Sequence, residues 1–165
     1  IDNPKLNCRL EGFNQFSPKR IILDRNLQID LKSYIAKSIK NKNTIIFHNS
    51  NDKSKIKLLK KKGAILIKKS TDKYKNLDLK KILKDLYKME IRNLLVEGGD
   101  ILTKNFLQKK LFNEFYMFRS SKNLSKNKKY VNFTSFSILN TKYNKHKINS
   151  KLASDKLTIY KNWNV

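Results

Sequence analysis

Residues 44–48 read Thr44-Ile45-Ile46-Phe47-His48, an apolar run closed by polar residues. So short a run, rich in β-branched residues and without alternation, predicts a strand buried on both faces. Such strands belong to parallel sheets covered by helices, so the neighbouring segments decide the fold. Upstream, Pro18-Lys19 leads into a second run of this kind, Arg20-Ile21-Ile22-Leu23-Asp24. Downstream, Ala64-Ile65-Leu66-Ile67 is a third. Between the first two runs, Leu31, Ile35 and Ile39 fall on one helical face. Between the second and third, Ser54 to Lys62 predicts a Lys-rich helix carrying Ile56, Leu58 and Leu59, with Gly63 at its C-terminus.

Further along, Leu79, Ile82, Leu83, Leu86 and Met89 recur at helical spacing, and Asn76 or Asp78 can cap that helix. Ile91 to Glu97 predicts a fourth strand, Gly98-Gly99 a turn, and Ile101, Leu102, Phe106 and Leu107 one side of a following helix. Leu111 to Phe118, Tyr130 to Leu139 and Leu157 to Tyr160 read as strands, inside an otherwise polar stretch over 120–150. Residues Ile1 to Ser17 read as an irregular entry segment. Alternating strands and helices from Arg20 to Asn105 imply parallel strands with crossover helices. The expected fold is therefore α/β: a three-layer mixed sheet, mostly parallel, with antiparallel C-terminal strands. A chain of 165 residues fits a single domain over 1–165.

The formal net charge of +25 suggests nucleic-acid binding at first sight. The arginines are only Arg9, Arg20, Arg25, Arg92 and Arg119, and the lysines are spread along the whole chain. Bidentate recognition of bases and phosphates favours Arg, so a solvated basic surface is the reading preferred and no specific nucleic-acid partner is expected. Such a field attracts multiply anionic ligands in a salt-dependent way. Cys8 is the sole cysteine, which excludes an intrachain disulfide and a Cys-based zinc site. No metal site is expected from His48 and His146, which lack partners at ligand spacing. No apolar run is long enough to cross a bilayer, no signal peptide is visible, and a cytoplasmic location is expected. The absence of an initiator Met suggests a fragment or a processed product.

Glu97-Gly98-Gly99 is the strongest chemical signal. A strand feeding a Gly-Gly turn and then a helix lets backbone approach a ligand closely and turns free N–H groups toward an anion. A dinucleotide pyrophosphate would suit it. A tight turn with no ligand explains the residues equally well, since neither GxGxxG nor a P-loop is present. Glu97, at the carboxyl end of its strand, can accept from ribose hydroxyls or pair with a lysine. Arg9 is of the type that clamps phosphate, or is an exposed loop arginine. Asp24-Arg25 would place polar groups at the same sheet edge. No nucleophile motif appears, so no covalent catalytic residue is assigned.

Three segments, taken in order, resemble one family. Asp2-Asn3-Pro4-Lys5-Leu6-Asn7-Cys8-Arg9 resembles its Asp-Asp/Asn-Pro-x-Leu-x-x-Arg segment. Pro18-Lys19-Arg20-Ile21-Ile22-Leu23-Asp24 is similar to its Pro-x-Arg-apolar-Asp strand. Leu94-Leu95-Val96-Glu97-Gly98-Gly99, with Leu102, Leu107 and Leu111-Phe112-Asn113-Glu114, is similar to its Val-Glu-Gly-Gly strand, helix and next strand entry. The family is the C-terminal reductase domain of bifunctional diaminohydroxyphosphoribosylaminopyrimidine deaminase/aminouracil reductases, of dihydrofolate-reductase-like fold. The resemblance implies reduction of 5-amino-6-(5-phosphoribosylamino)uracil to its ribitylamino product with NADPH, in riboflavin biosynthesis. It implies substrate contacts from Leu6, Arg9 and Glu97. It implies NADPH contacts from Asp2, Arg25 and the run Gly99, Asp100, Ile101, Leu102, Thr103, Lys104 and Asn105.

The family domain begins with a strand and helix upstream of the matching segments, so the chain is expected to be N-terminally truncated. In bifunctional members a zinc deaminase domain precedes it, and zinc is expected only there. Two departures stand out: Arg25 replaces a small or hydroxyl residue, and Arg119-Ser120-Ser121-Lys122-Asn123 replaces a Leu-Gly turn. Members commonly dimerise through this domain, so a homodimer and a small-molecule substrate are expected. The alternatives are a dihydrofolate-reductase-like enzyme acting on another pterin or pyrimidine, and a basic nucleic-acid-binding domain.

Overall fold

In the computed structural model, residues 3–121, 134–148 and 155–162 are described; Asp2 falls outside them. The chain divides into two compact units, Ile1–Arg92 and Asn93–Val165.

In the first unit, β1 (Arg20–Leu23), β2 (Thr44–His48) and β3 (Ile65–Lys68) form a parallel sheet in the order β1-β2-β3. The register pairs Ile22 with Ile46 and Ile46 with Leu66. Every residue of β2 is buried, as an apolar run with no polar face requires. Successive side chains point to opposite faces, so β2 feeds two cores. On one face Ile46 packs with Leu27, Ile39, Leu59 and Ala64. On the other, Ile45 and Phe47 pack with Leu77, Ile82 and Leu86. Leu59 belongs to α2 (Lys53–Lys61), and Ile82 and Leu86 to α3 (Leu79–Lys88), so a helix covers each face.

Local chemistry sets these boundaries. Asp78 caps α3 by accepting from the backbone N–H groups of Lys80 and Lys81, and Asp52 caps α2 by accepting from Lys55. Gly63 follows α2 with φ +98°, and a Cβ there would lie 3.3 Å from the Asn41 nitrogen. The helix expected from Leu31 to Ile39 is shorter, α1 (Tyr34–Lys37). Asp30 draws the Lys32 N–H into a side-chain turn before it, and the Ser38 hydroxyl bonds back to the Tyr34 carbonyl at 2.6 Å after it.

In the second unit, β4 (Glu114–Arg119), β5 (Asn144–Ile148) and β6 (Lys156–Lys161) form an antiparallel sheet in the order β4-β6-β5. Leu107 of α4 (Asp100–Gln108), Leu139 of α5 (Phe136–Lys142) and Tyr160 of β6 make its core, with Phe112, Phe115 and Met117 against them. Asn162 closes the end of the sheet by donating to the carbonyls of Lys110 (3.1 Å) and Phe112 (3.0 Å).

The α/β class and its order, parallel strands first and antiparallel strands at the end, match the sequence reading. Four details differ. The antiparallel strands form their own sheet instead of extending the parallel one. Ile91 to Glu97 is not a strand: no ladder forms over 91–99, and Leu95 is 81% exposed. A strand is held by its partners' hydrogen bonds, and none of the described strands pairs with this segment. The strand read over Tyr130 to Leu139 is, where described, the start of α5, while its first residues lie outside the described ones. β5 was not foreseen, because Asn144-Lys145-His146-Lys147-Ile148 carries almost no apolar signal.

Candidate functional site

The residues expected at the site fall in both units. Leu6, Arg9 and Arg25 belong to the first; Glu97 and the run Gly99 to Asn105 belong to the second.

In the second unit, Gly99 is the N-cap of α4, with extended backbone and no side chain to accept from the first-turn N–H groups. The helix therefore starts with uncapped donors and the positive end of its dipole. The two glycines before it differ in kind. A Cβ on Gly98 would lie 2.9 Å from Leu102 Cδ2 and 3.1 Å from its Cβ, so close packing of the turn on the helix requires glycine there. A Cβ on Gly99 would meet nothing within 4 Å. The space a side chain would fill at Gly99 is open beside free N–H donors, which is a cradle suited to a phosphate. Glu97 is exposed, next to that turn.

Along α4, several of the expected contact residues are occupied within the protein. The Asp100 carboxylate accepts from the Thr134 hydroxyl (2.6 Å), the Thr134 backbone (3.0 Å) and the Ser135 hydroxyl (3.1 Å). These bonds, the Thr134 hydroxyl foremost, hold its pKa below the ordinary aspartate value. Asn105 Nδ2 donates to the Ile101 carbonyl at 2.9 Å. Leu102 packs on Gly98, and Ile101 is 74% exposed.

In the first unit, the carboxyl edge of the parallel sheet holds Asp24, Arg25 and His48. The Asp24 carboxylate accepts from the backbone N–H groups of Gln28 (2.8 Å) and Ile29 (2.6 Å), so it builds its own turn. Arg25 donates from Nε to Asn26 Oδ1 (3.2 Å) and from Nη1 to the Lys75 carbonyl. His48 is 3% exposed, its Nδ1 has no hydrogen-bond partner, and burial lowers its pKa.

Leu6 lies elsewhere, in the wall of a cavity of about 390 Å³ at the amino edge of the sheet, together with Asn7, Arg20, Tyr34, Lys40 and Asn43. Arg9 is exposed and does not line it. Arg20 is 6% exposed and donates to Ser38 Oγ (2.6 Å), the Ser38 carbonyl (3.0 Å), Asn43 Oδ1 (3.1 Å) and Thr44 Oγ1 (2.8 Å). Burial lowers its pKa, and Tyr34 opposes that shift. The sequence reading used Arg20 only as part of a strand motif. A cation opening an otherwise apolar run was the signal that it is buried there. Cys8, half-buried, is a free thiol near this segment and donates its backbone N–H to Ser17 Oγ at 3.2 Å. No group of three or more His, Cys, Asp or Glu gathers into a metal site among the described residues. No helix among them is long and apolar enough to cross a membrane.

Comparison with known proteins places these features in a family. A family profile described as the RibD C-terminal domain matches residues 1–150. The riboflavin biosynthesis protein RibD of Actinobacillus pleuropneumoniae is 32% identical over 121 residues, which are 73% of this chain and 31% of that protein. RibD of Aquifex aeolicus (strain VF5) is 31% identical over 121 residues, 73% of this chain and 32% of that protein. The chain thus spans about a third of the length of these curated relatives. Among solved structures, Acinetobacter baumannii RibD superimposes with a TM-score of 0.70 at 21% identity, covering 97% of this chain and 43% of that one. A pyrimidine reductase-like protein from Corynebacterium diphtheriae gives 0.61 at 14% identity, covering 88% and 61%. These two likenesses show a shared fold.

Proposed function

The chain belongs to the RibD C-terminal domain family, and from that premise we propose that it is the reductase part of a riboflavin-biosynthesis enzyme. Its reaction is the NADPH-dependent reduction of 5-amino-6-(5-phosphoribosylamino)uracil to 5-amino-6-(5-phosphoribitylamino)uracil. The observation that carries this reading is Gly99, where an uncapped helix start meets open space that packing does not require. The cofactor, when bound, supplies a hydride to C1′ of the substrate sugar.

The chain's own residues bind and orient. The first-turn N–H groups of α4 and the dipole behind them hold the cofactor's phosphates, with Gly99 letting the backbone approach. The family resemblance assigns the rest of the cofactor contact to the run from Gly99 to Asn105, to Asp2 and to Arg25. The Thr134 and Ser135 bonds to Asp100 take up acceptor capacity that would otherwise face an anion at the same helix start. Glu97 accepts hydroxyls of the substrate's sugar, while Leu6 and Arg9 meet its body and its phosphate. The high positive charge draws both anionic ligands in. In this reading the two units are parts of one reductase domain, the enzyme acts in the cytoplasm as a homodimer, and no specific nucleic acid is a partner.

The test is titration of the full-length protein with NADPH, followed by turnover of the aminouracil. NADPH is expected to raise the melting temperature in a saturable way, and its absorbance to fall only when the phosphoribosylaminouracil is added. An intact protein that NADPH does not stabilise would overturn the reading.

A further inference from the structure

We propose that Tyr74 is a stacking platform for the adenine ring of the dinucleotide cofactor. The inference deepens the reductase reading and rests on it, because that reading supplies the cofactor.

β1 and β3 run parallel, so the segments that follow them leave the sheet at the same, carboxyl edge. The first of these carries Arg25, the other the turn over 71–77. Thr71 pairs with Leu77 in an isolated antiparallel bridge, which closes the turn. Inside it the Asp72 carboxylate accepts from the backbone N–H groups of Tyr74 (3.0 Å) and Asn76 (3.0 Å). The Lys75 N–H donates to the Asp72 carbonyl at 2.9 Å, and the Asp72 N–H to the Asn76 carbonyl at 2.7 Å. Lys75 has φ 60°, a left-handed conformation that is costly for a residue with a Cβ. Arg25 Nη1 donates to the Lys75 carbonyl from 50 positions away. An aromatic side chain on so closely bonded a turn is held in place before a ligand arrives, which reduces the entropy lost on binding.

The residue held up in this way is not part of the core. Tyr74 is 69% exposed. Exposed Phe13 has a ring partner in Phe16, with 6.0 Å between centroids, and exposed Tyr116 a hydroxyl partner in Glu114. At Tyr74 the neighbour is a cation, the Lys73 ammonium, 5.0 Å from the ring centroid. Stacking with a planar ring would take the remaining aromatic surface out of water. Arg25, Lys73 and Lys75 are all exposed around the turn, while its carboxylate, Asp72, is directed at backbone N–H groups. A base on Tyr74 thus has cations beside it for the phosphates that flank an adenosine. The nicotinamide end does not suit this place, because an exposed turn cannot shield hydride transfer from water. The adenine end takes no part in the reaction and needs no such shelter.

The experiment measures binding to the full-length protein and to its Tyr74→Ala and Tyr74→Phe variants. The ligands are NADPH and 2′-phospho-ADP-ribose, which keeps the adenosine half and lacks the nicotinamide. Tyr74→Ala should weaken both about fivefold to 100-fold, the worth of one base–aromatic stack. Tyr74→Phe keeps the ring and should bind both nearly as the parent does. The loss should appear in KM for NADPH with kcat unchanged. Because Tyr74 is exposed, the melting temperature without ligand should be the same in all three proteins. Equal NADPH affinity in Tyr74→Ala and the parent would overturn the proposal and leave the reductase reading standing. A loss confined to NADPH, with 2′-phospho-ADP-ribose bound as before, would also overturn it. A parent protein that binds no NADPH would overturn both.

Discussion

The Asp100 carboxylate, in the first turn of α4, accepts from the Thr134 hydroxyl at 2.6 Å, across 34 positions of sequence. With Ser135, which is fully buried, this bond fastens the start of α4 to the entry of α5. The bonds lower the folded-state pKa of Asp100, so their contribution is fully present above the ordinary aspartate value of 3.8. It is lost as the pH falls below that value and through the lower folded pKa. Thr134→Val should therefore move the Asp100 titration, followed by carboxyl NMR, back up toward 3.8 and make the second unit more acid-labile. An unchanged Asp100 titration in this variant would contradict the assignment.

His48 makes the first unit sensitive to a different pH range. Burial is the chief cause that lowers its pKa from the ordinary 6.5, with Lys68 and Lys60 adding to it and the Ser50 backbone and Asp24 opposing. The neutral ring is the form the fold accommodates. Its share of stability is present above 6.5 and is lost as the pH falls from there through the lower folded value. Urea unfolding should show the first unit losing stability as the pH falls below 6.5, with a smaller slope in His48→Gln.

Leu59 of α2 is fully buried against Ile46 on one face of β2, and Phe47 is fully buried on the other. Leu59→Ala should cost about 2–5 kcal/mol and Phe47→Ala about 3–5 kcal/mol, in a domain of ordinary marginal stability. Denaturant midpoints check both values. Asp78→Ala, which removes the cap of α3 without a cavity, should cost only about 0.5–2 kcal/mol.

What was legible in the sequence follows from how local each signal is. β1, β2 and β3 carry their burial in their own composition, and α3 carries both its period and its cap. Ile91 to Glu97 has the composition of a strand, but composition cannot supply a hydrogen-bonding partner. α5 is fixed in part by Asp100, far away in sequence, and β5 by pairing with β6 rather than by its own residues. At the site, the Gly98-Gly99 turn and α4 were readable because the glycine and helix signals are contiguous, although the strand read before them is absent. The cavity around Arg20 was not, since Leu6, Arg20, Tyr34 and Asn43 meet only through the fold of the entry segment.

The two glycines of the turn offer a separation of stability from ligand binding. At Gly98 a methyl group collides with Leu102, a clash with the Cβ as well as the movable Cδ2, so Gly98→Ala should destabilise by about 1–3 kcal/mol. At Gly99 the backbone is extended and the space is open, so Gly99→Ala should leave the unfolding midpoint nearly unchanged. If that space receives a cofactor phosphate, the same substitution must weaken NADPH binding, and the larger Gly99→Val must abolish turnover. Glu97→Gln supplies the complementary case. It removes the charge proposed to hold the substrate sugar, so it should abolish turnover while NADPH still stabilises the protein. A Gly99→Ala protein as stable as the parent and equally tight for NADPH would show that the open space beside α4 is not the cofactor's.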